Sequence, residues 1–369
     1  MASEILIYVG TYTEAIRFGT GELFQGQGEG IHIFSVDLTS GALEPVNVVK
    51  GVKNPSYLSF DPSGRFLYAV NELKSYEGGD GGTVSAFSVS ADGHDLGFLN
   101  LRPTRGTDPC HVATDNDGRF AMVANFMSGS VSVYPIGTDG KLGKASDFVQ
   151  HTGSSVNPAR QAGPHAHSSV FDPANRFVFV PDLGADRVVA YRFDSAAGKI
   201  AETKGAGAVL EPGSGPRHIA FSPDGRFAHI VNELDSTVTV FAYNGETGGL
   251  SKLQTVTTLP DGFAGENSCA DLNVHPTGKF LYASNRGHDS VVAYKRDAQS
   301  GRLTLIGHES SGGKTPRNFA IDPTGALMLV ANQASDNIVA YLIDRDTGVL
   351  KPTGHVTAVG TPVCVKFAR

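Results

Sequence analysis

The sequence predicts an all-β chain folded as a seven-bladed β-propeller, four antiparallel strands to a blade, in one domain over residues 1–369. Three observations predict it. A six-residue turn signature recurs six times, successive copies lying 47 to 57 residues apart. A second signature, centred on glycine, recurs seven times. The two ends of the chain supply the strands of the one unit that lacks a turn of its own. A period near 50 residues with four short strands per unit is that of a propeller blade.

Residues 213–241 show the unit most clearly. An apolar run at 218–221 meets Ser222-Pro223-Asp224-Gly225, and a second run at 226–231 ends in Asn232-Glu233. Residues 236–241 then alternate Thr with Val or Phe. Proline presets φ for a tight turn and glycine tolerates positive φ, while β-branched alternation favours a strand. The same turn stands at Asp61-Pro62-Ser63-Gly64-Arg65-Phe66, Asp115-Asn116-Asp117-Gly118-Arg119-Phe120 and Asp172-Pro173-Ala174-Asn175-Arg176-Phe177. It returns at His275-Pro276-Thr277-Gly278-Lys279-Phe280 and Asp322-Pro323-Thr324-Gly325-Ala326-Leu327. Each following run ends in a polar residue: Asn71, Asn125, Asp182, Asn232, Asn285 or Asn332. The asparagines recur too regularly to make a site in every unit, and are expected to terminate strands through side-chain to backbone bonds. The glycine signature, at Gly41, Gly93, Gly140, Gly198, Gly248, Gly301 and Gly348, closes the later hairpin of each unit. Residues 361–367 read as a first strand with no turn after it, and residues 5–9 as a second strand with none before it. One blade is therefore expected to be assembled from both ends, closing the ring.

Composition narrows the function classes. The chain carries 45 glycines, no tryptophan and a formal net charge of -7, with no run of Lys or Arg, which argues against nucleic acid as a partner. No apolar stretch approaches the roughly 20 residues of a membrane span, and the first ten residues show no basic and then apolar leader pattern. Cys110, Cys269 and Cys364 are odd in number and far apart, as expected of reduced thiols in a cytoplasmic protein.

The long connections point to one face. Residues 14–29 and 73–82 join second to third strands, and residues 151–163 and 259–268 join successive blades. In an up-down blade both kinds of connection lie at the face where first strands begin and second strands end, and long loops on a rigid scaffold are where function gathers. At equivalent positions of the first strands stand His167, Arg217 and Arg317, followed one residue later by His111, His218 and Asn318 in their blades. The ends of second strands add Glu72, Glu233, Arg286 and Gln333, and His165 points the same way as His167 two residues on. Polar residues at strand ends also cap loops, and Arg217 with Glu233 could be an ion pair within one blade. The gathering of several Arg and His at one mouth, however, needs an anion or carboxylates to offset it.

Arginine offers planar donors for carboxylate or phosphate, and a His or Glu can move a proton or activate water. There is no GxSxG elbow and no HExxH pair. His165-Ala166-His167 offers two metal ligands without a third, and no metal or other cofactor is expected. These residues suit the opening of an ester or lactone by water, one Arg facing the developing oxyanion and another the anionic tail of a small substrate.

The chain resembles the seven-bladed lactonase propellers, which include the propeller-type 6-phosphogluconolactonases and the fungal-type carboxy-cis,cis-muconate cyclases. The resemblance spans essentially the whole chain. It rests on Tyr8-Val9-Gly10-Thr11-Tyr12-Thr13, Gly163-Pro164-His165-Ala166-His167, Gly215-Pro216-Arg217-His218, Val231-Asn232-Glu233-Leu234, Tyr282-Ala283-Ser284-Asn285-Arg286-Gly287 and Pro316-Arg317-Asn318-Phe319. The cyclase members carry a His–Arg–Glu–Arg site, which Arg217, Glu233 and Arg286 match together with His167 or His165. The phosphogluconolactonase members look similar at Arg217, Glu233 and Arg317. The resemblance implies a hydrolase opening an anionic sugar lactone, with 6-phosphogluconolactone as the expected substrate. In that reading His167 or Glu233 is the base, Arg217 polarises the carbonyl, and Arg286 with Arg317 receives the anion. His111, His165, His218, Asn318 and Gln333 complete the expected substrate contacts. The alternatives are a cycloisomerase that forms a lactone from a muconate, a non-catalytic interaction scaffold, and a metal-dependent lactonase using Glu and Asn ligands.

Overall fold

The computed structural model describes residues 5–368. Seven antiparallel sheets follow one another round a ring, each with a path of four strands, and the fourth adds Ala208–Val209 as a fifth strand beside Arg187–Asp194. Blade 1 is the composite one: Pro362–Phe367 pairs with Ile5–Thr11, which pairs with Gly30–Val36 and then Leu43–Lys50. Blades 2 to 7 begin with Pro55–Phe60, Pro109–Thr114, Val170–Phe171, Pro216–Phe221, Ser268–Val274 and Pro316–Ile321. Their second strands end at Asn71, Asn125, Asp182, Asn232, Arg286 and Asn332. Closure through the two ends is therefore as the sequence implies.

The turn signature has a local cause. The carboxylate of Asp61, Asp115, Asp172 or Asp322 accepts the amide of the residue that opens the second strand, at 2.7 to 2.8 Å. Ser222 does the same through Oγ at 3.1 Å. The glycine or asparagine that follows takes positive φ in all six copies, from Asn175 at 57° to Gly325 at 75°.

The glycine signature answers to packing as well as to φ. A Cβ on Gly140 would stand 2.2 Å from Phe66 of the preceding blade, on Gly198 2.1 Å from Phe120, and on Gly301 2.3 Å from Phe227. Gly248 meets Phe177 and Gly348 meets Phe280 in the same way. The first residue after each turn thus seats its ring on the outer hairpin of the next blade, and the two signatures are halves of one contact. Leu327 of blade 7 against Gly41 of blade 1 carries the pattern across the closure.

Seven apolar clusters lie between successive blades, such as Phe120, Val133, Phe171 and Tyr191 between blades 3 and 4. Fully burying one such side chain is worth about 1.5–3 kcal/mol, so the inter-blade faces hold the ring. The asparagines reach further than their own strands. Asn71, Asn125, Asn285 and Asn332 donate to the carbonyls of Lys53, Thr104, Thr258 and Ser311, on the segment leading in from the preceding blade. Asn232 instead donates to Thr237 and Thr239.

Two of the long connections carry small hairpins that the sequence pattern did not reveal, Ala15–Arg17 with Leu23–Gln25 and Ser75–Tyr76 with Gly79–Asp80. No helix among the described residues is long and apolar enough to cross a membrane.

Candidate active site

The axial channel opens, on the face carrying the long connections, into a cavity of about 730 Å³. Glu72, His167, Glu233, Arg286, Arg317 and Gln333 line it, with Cys110 and Arg160. Of the residues expected at the mouth, Glu72, His167, Glu233, Arg286, Arg317 and Gln333 are therefore brought together.

Glu233 is the hub. Its Oε1 is 2.5 Å from Arg160 Nη2, and its Oε2 lies 3.1 Å from Arg217 Nε and 3.0 Å from Arg286 Nη2. Burial alone would raise its pKa, but the charges of Arg286, Arg160 and Arg217 outweigh it and hold the carboxyl well below the usual carboxylate range. A carboxylate so depressed is a poor proton acceptor. Glu233 is therefore placed to fix three guanidinia.

Arg286 also donates through Nη2 to the carbonyl of Cys269 at 2.7 Å, while its buried Nε has no partner. Gln333, 3% exposed, leaves Oε1 unpartnered. Arg317 stands across the cavity, its guanidinium 5.4 Å from the ring centre of Tyr12 and 5.6 Å from that of Phe18. Glu72, 4.0 Å away, is a loose partner, since it accepts the Tyr12 hydroxyl at 2.9 Å. Burial raises the Glu72 carboxyl, against the pull of Arg317.

His167 is the cavity's imidazole. Its Nδ1 lies 3.7 Å from Cys110 Sγ, and its ring meets Phe126 edge-on at 5.1 Å. Burial, then the charges of Arg217 and His218, push its pKa well below 6.5, so the ring is neutral at neutral pH. Burial likewise pushes the Cys110 thiol up, which removes it as a nucleophile.

Four expected contacts and Arg217 lie elsewhere. Arg217 sits under the cavity floor, beside a void of about 10 Å³, with Nε on Glu233 and Nη1 shared between the Ala270 carbonyl and His218. Burial and the charges of Arg286 and Arg317 lower it to about 10, still a cation at neutral pH. His165 stacks on Phe126 at 4.7 Å, outside the cavity lining. His111, His218 and Asn318 come one residue further along their strands and fall one layer deeper. There they lace the blades together: His111 accepts the Ser169 amide, His218 bonds Asp271 at 2.8 Å, and Asp271 accepts Asn318 at 2.6 Å. Asn318 in turn accepts the Val365 amide at 2.7 Å, across the closure. One residue of strand separates substrate reach from this girdle.

The buried imidazoles predict acid lability. Burial, with Arg217 and with Arg296 respectively, lowers His218 and His229 to about 4. The unfolded chain takes these protons first, so stability is complete above about pH 6.5 and is lost as pH falls from there through about 4. Each histidine should contribute a loss on the order of 3 kcal/mol over that window. Urea midpoints at stepped pH measure it; a midpoint unchanged between pH 7 and pH 5 would contradict it.

Sequence patterns missed Arg160, which lies in an irregular inter-blade connection, and Arg17, Phe18 and Phe126, which line the cavity from other loops. Only the length of residues 14–29 and 151–163 signalled Arg17, Phe18 and Arg160, and nothing signalled Phe126, in the short connection between Phe120–Asn125 and Ser130–Pro135. Among the described residues, no group of three or more His, Cys, Asp or Glu is arranged to hold a metal ion.

A family model described as "Lactonase, 7-bladed beta-propeller" matches residues 6–367. The chain is 33% identical over 360 residues to the 6-phosphogluconolactonase of Bacillus subtilis (strain 168), covering 98% of this chain and 97% of that one. It is 35% identical over 321 residues to the 6-phosphogluconolactonase of Formosa agariphila, covering 85% and 86%. The solved periplasmic gluconolactonase of Pseudomonas aeruginosa superposes with a TM-score of 0.91 at 36% identity, covering 100% and 99% of the two chains.

Proposed function

Since this chain belongs to the seven-bladed β-propeller lactonase family, we propose that it hydrolyses an anionic sugar lactone, 6-phosphogluconolactone, in the mouth cavity. One observation carries the choice of an anionic substrate. Arg160, Arg217 and Arg286 share the single carboxylate of Glu233, and Arg317 has only Glu72, 4.0 Å away; of the other carboxylates lining the cavity, Asp108 is paired with Lys74, and Glu22 and Glu266 are exposed, like Arg17. The positive surplus lies in a site of low dielectric, where an anion offsets it.

The reaction follows from the placement. Neutral His167 accepts a proton from a water molecule as the water oxygen attacks the lactone carbonyl carbon. The carbonyl electrons move to oxygen, and the oxyanion forms against Arg286, which Glu233 holds in place. Collapse breaks the ring C–O bond, and the imidazolium returns its proton to the departing alkoxide. The product is the open hydroxy acid, whose carboxyl proton passes to solvent. Arg286, which lines the cavity, takes the carbonyl in this reading, and Arg217 acts beneath it by holding Glu233. Arg317, bracketed by Tyr12 and Phe18, receives the phosphate.

The test is a panel of 6-phosphogluconolactone, its unphosphorylated counterpart and a carboxymuconate. Arg317→Ala should raise KM for the phosphorylated lactone about 10–100-fold, the worth of a charge-assisted hydrogen bond or two, and change KM for the unphosphorylated one little. Equal effects on both would remove Arg317 from phosphate recognition. Turnover of the muconate alone would replace the hydrolase reading with a cycloisomerase. We place the protein in the cytoplasm, where thiols stay reduced, because Cys110, Cys269 and Cys364 are all buried and unpaired.

A further inference from the structure

Blade 4 departs from its neighbours at two places that touch each other. Its second strand ends in Asp182, where five other blades have asparagine at the corresponding place. Its first strand is laddered only over Val170–Phe171, against six or seven residues in the other blades. The stretch that carries His167 is therefore held by something other than a regular ladder. An isolated bridge joins Ala166 to Asp182, and the His167 amide donates to the Pro181 carbonyl at 3.0 Å.

Asp182 supplies most of the rest. Its Oδ1 accepts the His165 amide at 2.7 Å, and also the amides of Gly184 at 3.1 Å and Ala185 at 3.2 Å. Its Oδ2 takes His151 Nδ1 at 2.7 Å, and His151 Nε2 takes the Tyr191 hydroxyl at 2.8 Å. A carboxylate accepts, so His151 donates to it through Nδ1, and the Nε2 on the far side of the ring is tied to the Tyr191 hydroxyl. Asparagine, with a donor on one arm, would oppose the His151 N–H. The three side chains are buried, Asp182 fully, and none of them lines the cavity.

The backbone is clamped on two sides. A Cβ on Gly184 would stand 1.9 Å from the Gly163 carbonyl oxygen, and one on Gly129 2.4 Å from that of Pro164. Residues 163–165 thus pass between two glycines with no room to slide, and Asp182 accepts the last amide of that stretch, that of His165.

From this we infer that Asp182, backed by His151 and Tyr191, is a positioning residue that sets His167 in the cavity wall. The inference rests on the reading of His167 as the base. It also accounts for the acid in place of asparagine in the blade that bears the imidazole.

A double-mutant cycle tests it on the full-length protein with 6-phosphogluconolactone. Asp182→Ala should lower kcat about 10²-fold, the scale of a small misplacement of a catalytic group, and leave KM within about twofold. In a His167→Ala background the same change should cost less than about twofold, because a residue acting through His167 has nothing left to position. Asp182→Asn, which keeps one oxygen for the three amides, should recover much of the loss. Equal kcat losses with and without His167, or a lower Tm with kcat intact, would overturn the inference. Should Asp182→Ala fail to fold, His151→Phe runs through the same cycle. Wild-type kcat in His167→Ala alone would instead remove the base, a failure of the underlying reading rather than of the positioning.

Discussion

His167→Ala will lower kcat for 6-phosphogluconolactone by about 10²–10⁴-fold, the usual worth of a positioned general base, with KM nearly unchanged. The imidazole lines the cavity and is neutral because burial and the nearby cations Arg217 and Arg317 disfavour its charged form. The base must be unprotonated to act. The wild-type rate should therefore hold through neutrality and fall on the acid side, at a pH below the 6.5 of an ordinary histidine. That limb should vanish in the variant. Single-turnover rates against pH read both effects. A limb that persists in His167→Ala would assign the base to another group.

Glu233→Ala should be the most damaging change to stability, by about 3–5 kcal/mol, because it leaves cations buried without their counter-charge. Arg217 is 2% exposed and Arg286 and Arg160 are partly covered, so water cannot replace the carboxylate fully. Activity should fall with it, since Arg286 and Arg160 lose the group that aims them. The variant should also become sensitive to inorganic phosphate. An anion that binds the orphaned guanidinia stabilises the folded state by mass action, so the urea midpoint should climb with phosphate more steeply than in the wild type. A midpoint unmoved by the substitution would mean that the arginines can relax to solvent, and the hub role of Glu233 would fall.

The architecture was legible because it is written redundantly. The turn at Asp115–Phe120 and the glycine at Gly198 each announce a strand boundary, and the structure shows that they are also the two sides of one blade contact. Such a constraint, applied round a ring, leaves a period that survives the loss of any single copy. The site is written once. Arg217 and Glu233 could be found because they occupy repeat positions where most other blades carry different residues, Arg317 and Glu72 being the repeats. Arg160 could not, because residues 151–163 follow no period and nothing local says which way that loop folds back. Depth was equally hidden. His167 and His218 sit one register position apart in their respective blades, yet one lines the cavity and the other bonds Asp271 in the girdle. The small hairpin of Ala15–Arg17 and Leu23–Gln25, which brings Phe18 to Arg317, has strands too short to show alternation.

The ladder between Pro362–Phe367 and Ile5–Thr11 changes what kind of object the repeats make. In an open array of repeats the end units have one neighbour and fray first. Joined into a circle, every unit is an interior unit, and none can detach without breaking two apolar faces at once. Blades 4 to 7 contribute His167, Arg217 with Glu233, Arg286 and Arg317 in turn. Their spacing round the mouth is thus set by the circumference, much as the spokes of a wheel are held by its rim. The rim sets the blade from which each guanidinium reaches in and Glu233 aims Arg286 from there, so that Arg286 meets the developing oxyanion without first having to move.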